Sequence, residues 1–74
     1  MSTIMARERW THLTRYRLAN GWFVDRADSS LMRYHGWKYT AWEPGARPEG
    51  CAAYRGGATT LKGILTRIEG HAHA

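Results

Sequence analysis

One stretch of this 74-residue chain has the periodicity of an amphipathic helix, and it lies near the C-terminal end. Its apolar stripe, spaced i, i+3, i+4 and i+7, consists of Leu61, Ile64, Leu65 and Ile68. Thr59 or Thr60 is suited to the N-cap, and Gly70 predicts the end of the helix. Because one such helix needs one apolar sheet face to cover, the pattern predicts a two-layer α+β fold.

The chain before this helix has the two-residue alternation of β-strands. Residues 14–18 alternate between apolar and basic side chains, which predicts a half-buried first strand. Asn20-Gly21 predicts a hairpin, since both residues tolerate positive φ, and residues 22–25 then form the returning strand. Residues 37–42 predict a third strand, with Tyr39 on one face and Trp42 on the other.

Glycine and proline set the limits of the remaining elements. Residues 43–50 hold both prolines and predict an exposed loop, and residues 51–55 form a short fourth strand at most. Gly56-Gly57 is expected to end that strand. The predicted fold is therefore an antiparallel sheet of three to four strands with one C-terminal helix on one face. The expected organisation is a flexible N-terminus (1–9), a single domain (10–70) and a flexible tail (71–74).

The charge balance favours an acidic partner. Eleven Lys and Arg residues against six Asp and Glu give a net charge of +5, although simple solubility would explain it equally well. The single cysteine, Cys51, excludes an intramolecular disulfide, and the first residues lack the apolar run of a signal peptide. No stretch is apolar enough to cross a bilayer. A soluble protein of the cytoplasm, with no membrane partner, is expected.

The sequence contains none of the short motifs that carry known chemistry. There is no glycine-rich phosphate loop with its Lys, no HExxH, no paired-cysteine pattern and no nucleophile elbow. His71 and His73 alternate near the C-terminus, but two histidines on a tail are not a preorganised metal site. Cys51 is better interpreted as a small buried apolar residue than as a nucleophile. We therefore expect no enzyme activity, no cofactor and no metal.

Aromatic and basic side chains are interleaved in the first half of the chain. Eight of the nine aromatic residues lie between Trp10 and Trp42. If Tyr16 and Val24 face the helix together with Leu18 and Trp22, a second set of side chains faces away from it. The predicted partner-binding residues are this set and one arginine of the long loop: Arg15, Arg17, Phe23, Lys38, Trp42 and Arg47. Rings and guanidinium groups on one face suit either base stacking or a protein interface.

Three short patterns resemble the small accessory proteins of phages and mobile elements, some of which are anti-CRISPR proteins. These are a Gly-Trp-x-Val hairpin at residues 21–24, a Trp-Lys-x-x-Ala-Trp strand at residues 37–42 and a Thr-Leu-Lys-x-Ile helix at residues 60–64. The resemblance covers roughly residues 10–70. It implies an inhibitor that docks on an acidic protein surface or on a guide or target strand, since a basic chain does not mimic DNA.

The resulting hypothesis is a non-enzymatic phage or mobile-element protein that inhibits a host defence nucleoprotein complex by covering a binding surface. Its partners would be a host protein or nucleoprotein complex in the host cytoplasm. The alternative is a small basic protein that binds nucleic acid directly through sheet aromatics and arginines. A homodimer formed by edge pairing is compatible with either hypothesis.

Overall fold

A computed structural model describes residues 3–44 and 53–72 of the chain, which form one sheet and one helix. The sheet is an antiparallel meander in the order β1-β2-β3-β4-β5, and α1 follows its last strand. A short 3₁₀ helix, Ser30–Met32, lies between β3 and β4. The elements are β1 (Ile4–Arg9), β2 (Leu13–Leu18), β3 (Phe23–Ala27), β4 (Tyr39–Glu43), β5 (Ala53–Ala58) and α1 (Leu61–Ala72).

The predicted α+β class with one C-terminal helix is confirmed, but the expected three to four strands were too few, since the sheet has five. The added strand is β1, in a segment expected to be a flexible N-terminus. It pairs antiparallel with β2, with Arg7 opposite Tyr16 and Glu8 opposite Arg15. β1 lies at the edge of the sheet and its side chains are mostly exposed on both faces. Such a strand has no apolar alternation, so the sequence carried no signal for it.

Two tight turns of the chain have backbone conformations that the sequence did not predict. The β2–β3 hairpin lies where Asn20-Gly21 predicted it, but its loop has three residues, because the amide of Leu18 donates to the carbonyl of Trp22 at 2.9 Å. Of this loop, only Gly21 has positive φ, at 92°. The turn with two positive φ angles is His35-Gly36, at 51° and 80°, closed by the Trp37 amide donating to Tyr34 at 3.0 Å. We call residues 34–37 the aromatic turn.

The core lies between α1 and one face of the sheet. Its buried residues are Tyr16, Leu18, Trp22, Val24, Ala41, Ile64 and Ile68, with Leu61 and Leu65 packed against them. The predicted helical stripe and the predicted helix-facing residues of β2 and β3 are therefore confirmed. The Thr60 hydroxyl accepts a hydrogen bond from the Gly63 amide at 3.0 Å, so Thr60 is the N-cap. The helix continues past Gly70, where it was expected to end.

The glycine pair expected to end the fourth strand instead lies inside β5. A bulge separates the pairs Trp42–Tyr54 and Thr40–Gly57, and Gly56 in this bulge has φ of 124°. At Gly57 a Cβ atom would lie 2.0 Å from Cγ of Trp37. The glycines therefore shape the strand rather than stop it, because one permits the bulge and the other gives an indole ring room to lie on the sheet.

Within the described ranges, the structure has no helix both long enough and apolar enough to cross a membrane.

Truncating Ile64 tests the assignment of the core. Ile64→Ala removes a side chain that is fully buried against the sheet, so we expect the free energy of unfolding to fall by about 2–5 kcal/mol. The exposed Lys62→Ala on the same helix should change it by less than about 0.5 kcal/mol. Chemical denaturation followed by circular dichroism measures both, and equal effects would show that α1 does not dock through this stripe.

Adding one methyl group at Gly57 tests the packing of Trp37. We expect Gly57→Ala to lower the free energy of unfolding by about 1–3 kcal/mol, because the new Cβ overlaps the indole ring. The matched change Gly70→Ala meets no atom within 4 Å and lies in a helix, so it should stabilise the protein by up to about 1 kcal/mol. Denaturation curves of the two variants should therefore move in opposite directions, and a neutral Gly57→Ala would contradict the close approach.

Candidate functional site

The sheet face opposite α1 carries a group of rings that pack on one another. Phe23 and Trp42 lie side by side with ring centroids 6.0 Å apart and planes inclined by 11°. Tyr34 of the aromatic turn lies 5.2 Å from Trp42 and 4.7 Å from Tyr54, and His35 lies 4.3 Å from Tyr34. The turn thus covers the β4–β5 half of this face. We call Phe23, Tyr34, His35, Trp42 and Tyr54 the aromatic cluster.

Arg15 is held in place on this face by a carboxylate and two rings. Its Nε donates to Oδ1 of Asp25 at 2.7 Å and its Nη2 donates to Oδ2 at 3.1 Å, a two-point pairing across β2 and β3. Its guanidinium carbon lies 4.2 Å from the ring centroid of Phe23 and 4.7 Å from that of Trp10. The two charged side chains are only 22% and 11% exposed. Arg15 therefore contributes mainly to stability.

Arg17 forms a more exposed pair at the same face. Its Nε donates to Oε2 of Glu8 on β1 at 2.5 Å, and this hydrogen bond is the main reason why the pKa of Glu8 is lowered. The two side chains are 49% and 37% exposed, so solvent screens much of their attraction. A comparable exposed pair, Arg55 with Glu43, links β5 to β4. Each of these arginines is thus neutralised by a carboxylate on a neighbouring strand.

The structure brings together four of the six predicted partner-binding residues. Arg15, Arg17, Phe23 and Trp42 share the face opposite the helix, whereas Lys38 directly precedes β4 and lines a separate depression. The sixth, Arg47, lies outside the described residues.

The depression that includes Lys38 is open, has a volume of about 410 Å³ and lies where β3 ends and β4 begins. We call it the basic depression. It is lined by Arg26, Ala27, Asp28, Ser29, Ser30, Arg33, Lys38 and Tyr39. Three of these side chains are cationic and one is a carboxylate. Among the described residues, neither Arg33 nor Lys38 pairs with a carboxylate, so the depression has an excess of positive charge.

A hydrogen-bond network fixes one wall of this depression. Arg26 donates to Oδ1 of Asp28 at 2.8 Å, to the hydroxyl of Tyr16 at 2.9 Å and to the hydroxyl of Thr14 at 3.2 Å. The Thr14 hydroxyl donates to Oδ2 of Asp28 at 2.7 Å. This last bond, together with the Arg26 guanidinium, lowers the pKa of Asp28. Asp28 therefore remains ionised at neutral pH and is already engaged by Arg26 and Thr14.

Apolar side chains are exposed on the same connection between β3 and β4. Leu31 is 88% exposed, Met32 43% and Tyr34 42%. Leu31 and Met32 belong to the 3₁₀ helix, which begins at Ser30, a residue that lines the basic depression. We call Leu31, Met32 and Tyr34 the apolar ridge. It is a surface that water solvates poorly and that another molecule would bury favourably.

Sequence reasoning missed both of these features. The predicted strands and the predicted partner-binding residues both leave out residues 26–36. A usable signal was present, since a Leu-Met-Arg-Tyr run between a polar turn and a His-Gly turn offers too few apolar residues for a core strand. In the part of the chain that the structure describes, no group of three or more His, Cys, Asp or Glu could hold a metal ion.

No protein-family model, curated protein or solved structure matches this chain.

Removing the two arginines of the aromatic face should have unequal effects. Arg15→Ala leaves the largely buried Asp25 without its partner and uncovers Phe23, so we expect a loss of about 1–3 kcal/mol in the free energy of unfolding. The exposed Arg17→Ala should have a clearly smaller effect, because solvent screens its pair with Glu8. Urea denaturation at neutral pH measures both. Equal and small effects would show that Arg15 is not a stabilising residue and is free to bind a partner.

Proposed function

We propose that this chain is a non-enzymatic phage or mobile-element protein that inhibits a host defence nucleoprotein complex, as anti-CRISPR proteins do, by covering one of its binding surfaces. The observation that carries the proposal is the apolar ridge, an exposed group of large apolar side chains next to two cations that no described carboxylate neutralises. The resemblance to phage accessory proteins points to the same class of function.

The ridge has the composition of a protein interface. Leu31 and Met32 occupy a short 3₁₀ helix that presents them to solvent, and Tyr34 follows two residues later. Met adapts its shape to a partner, and Tyr contributes a rigid ring at small entropic cost. A few such side chains at the centre of an interface commonly supply most of the binding energy. Exposed apolar side chains of this kind lower the solubility of the free protein.

The charge beside the ridge selects the partner. Arg33 lies within the ridge segment and Lys38 lies a few residues beyond it, both on the basic depression. A cationic border favours an acidic protein surface or exposed phosphates, and it speeds the first encounter with either. A nucleoprotein complex offers both kinds of surface.

Direct binding to nucleic acid is the second candidate, and it is favoured by Arg33 and Lys38, which pair with no carboxylate of the described residues. Base stacking on the aromatic cluster has less support, because Phe23 and Trp42 pack on one another and Tyr34 covers Trp42. Among the aromatic side chains, Trp10 is 50% exposed and Tyr34 is 42% exposed. This candidate therefore rests on phosphate contacts more than on stacking.

An infection assay tests inhibition. Bacteria with an active CRISPR–Cas system that targets a phage would express the chain, and plaque formation by that phage would be counted for representative effector classes. We expect the wild-type chain to restore plaque formation against at least one class. The double variant Leu31→Ser/Met32→Ser should fail to do so, and its affinity for that purified effector complex should fall by tenfold or more, about 1.4 kcal/mol.

The control is Met5→Ser, which makes the same kind of change at an exposed residue of β1, away from the ridge. It should behave like the wild type in both assays, and both variants should keep the wild-type circular dichroism spectrum. If the wild-type chain restores plaque formation against none of the effector classes, the proposal is contradicted. If the chain then binds oligonucleotides with a steep dependence on salt, the second candidate is favoured.

A further inference from the structure

The basic depression has the properties of a site for a small anion, and we propose that it binds a single phosphate group. Arg33, Lys38 and the hydroxyl of Ser29 would hold the phosphate, and Arg26 would form the wall behind it. The site shares Arg33 and Lys38 with the cationic border of the proposed function, but the ridge side chains Leu31 and Met32, on which the inhibition assay depends, are not part of its lining.

The charge of the depression is not balanced from within. Asp28 is engaged by Arg26 and by the Thr14 hydroxyl, so its negative charge is compensated locally. Arg33 and Lys38 contribute two further positive charges, and no described carboxylate pairs with them. Two cations that line one depression repel each other unless an anion lies between them. A phosphate with up to two negative charges matches this excess.

Ser29 adds a second and independent observation. Ser29 is one of the lining residues, and its Oγ is buried beneath the wall with no hydrogen-bond partner among the described residues. Buried hydroxyl groups nearly always have a partner, and rotation about the Cα–Cβ bond of Ser29 would let this hydroxyl donate to an anion oxygen in the depression. The unpartnered hydroxyl is therefore a hydrogen-bond donor that the bound anion would use.

The shape and the chemistry of the depression favour a phosphate ester over an apolar ligand. Its lining is polar except for Ala27 and the ring of Tyr39, and its volume of about 410 Å³ exceeds what one phosphate fills. Because the depression is open, the rest of the ester can extend into solvent. A tetrahedral oxyanion accepts hydrogen bonds in several directions at once, from a guanidinium, an ammonium and a hydroxyl. The phosphate could belong to a free nucleotide or to the backbone of a nucleic acid.

A titration followed by ¹H–¹⁵N NMR tests the site, with three probes added in turn to the full chain. Inorganic phosphate should shift the amide signals of residues 26–39 in a saturable way. A nucleoside 5′-monophosphate and a dinucleoside monophosphate without a terminal phosphate then separate the two sources of the group. Tighter binding of the nucleoside monophosphate would assign the site to terminal phosphates. Tighter binding of the dinucleoside monophosphate would assign it to the nucleic-acid backbone.

Variants locate the binding to named side chains. Arg33→Gln/Lys38→Gln should weaken phosphate binding by about tenfold or more, and Ser29→Ala by about tenfold. Ser29→Ala removes a hydroxyl with no described partner, so it should leave the melting temperature unchanged, and any loss of affinity would then report on the ligand. Lys62→Gln, an exposed cation on α1, is the matched control and should bind phosphate like the wild type.

Two results would overturn the site. The first is shifts spread over all the basic residues, with Lys62→Gln as damaging as Arg33→Gln/Lys38→Gln, since that pattern shows unspecific attraction. The second is full affinity in Ser29→Ala, which would remove the buried hydroxyl from the site. The ridge variant Leu31→Ser/Met32→Ser should bind phosphate normally, so failure of the inhibition assay and failure of this site are distinguishable.

Discussion

A sheet has two faces, and a chain with one helix can cover only one of them in the ordinary way. Here α1 packs Ile64 and Ile68 against Val24 and Ala41, which accounts for the core. The opposite face has to be protected by other means, or its rings and backbone would remain open to association. The rest of the structure follows from how this second face is protected.

Two devices protect it. Over β4 and β5, the aromatic turn lays Tyr34 on Trp42 and Tyr54 and places Trp37 against Gly57. Over β2 and β3, Arg15 is paired with Asp25 and lies over the ring of Phe23, so a charged side chain covers apolar surface there. The aromatic and basic residues that looked available for a partner are therefore largely used within the fold.

This internal use moves the candidate binding surfaces to the connection between β3 and β4. Arg15, Arg17, Arg26 and Arg55 each face a carboxylate, so the positive excess of the chain is carried by other residues. Two of those, Arg33 and Lys38, lie together on the basic depression. The same connection exposes the apolar ridge, so apolar contact and positive charge lie side by side, as both proposals require.

The sequence by itself determined the layers of this protein, and only the tertiary structure decided which aromatic and basic side chains stay exposed. The stripe of Leu61, Ile64, Leu65 and Ile68, the alternation of residues 14–18 and the hairpin at Asn20-Gly21 act over a few residues, so they can be read locally. They predicted the first hairpin, the helix and the face of the sheet that the helix covers.

The edge strand β1, the strand through Gly56-Gly57 and the pairing of Arg15 could not be read in this way. Each depends on a contact between residues far apart in the chain: β1 with β2, Gly57 with Trp37, and Arg15 with Asp25. Whether an arginine is free to bind a partner depends on which carboxylate the fold places beside it. For the same reason Lys38 and Arg15, which look alike in the sequence, have different surroundings in the structure.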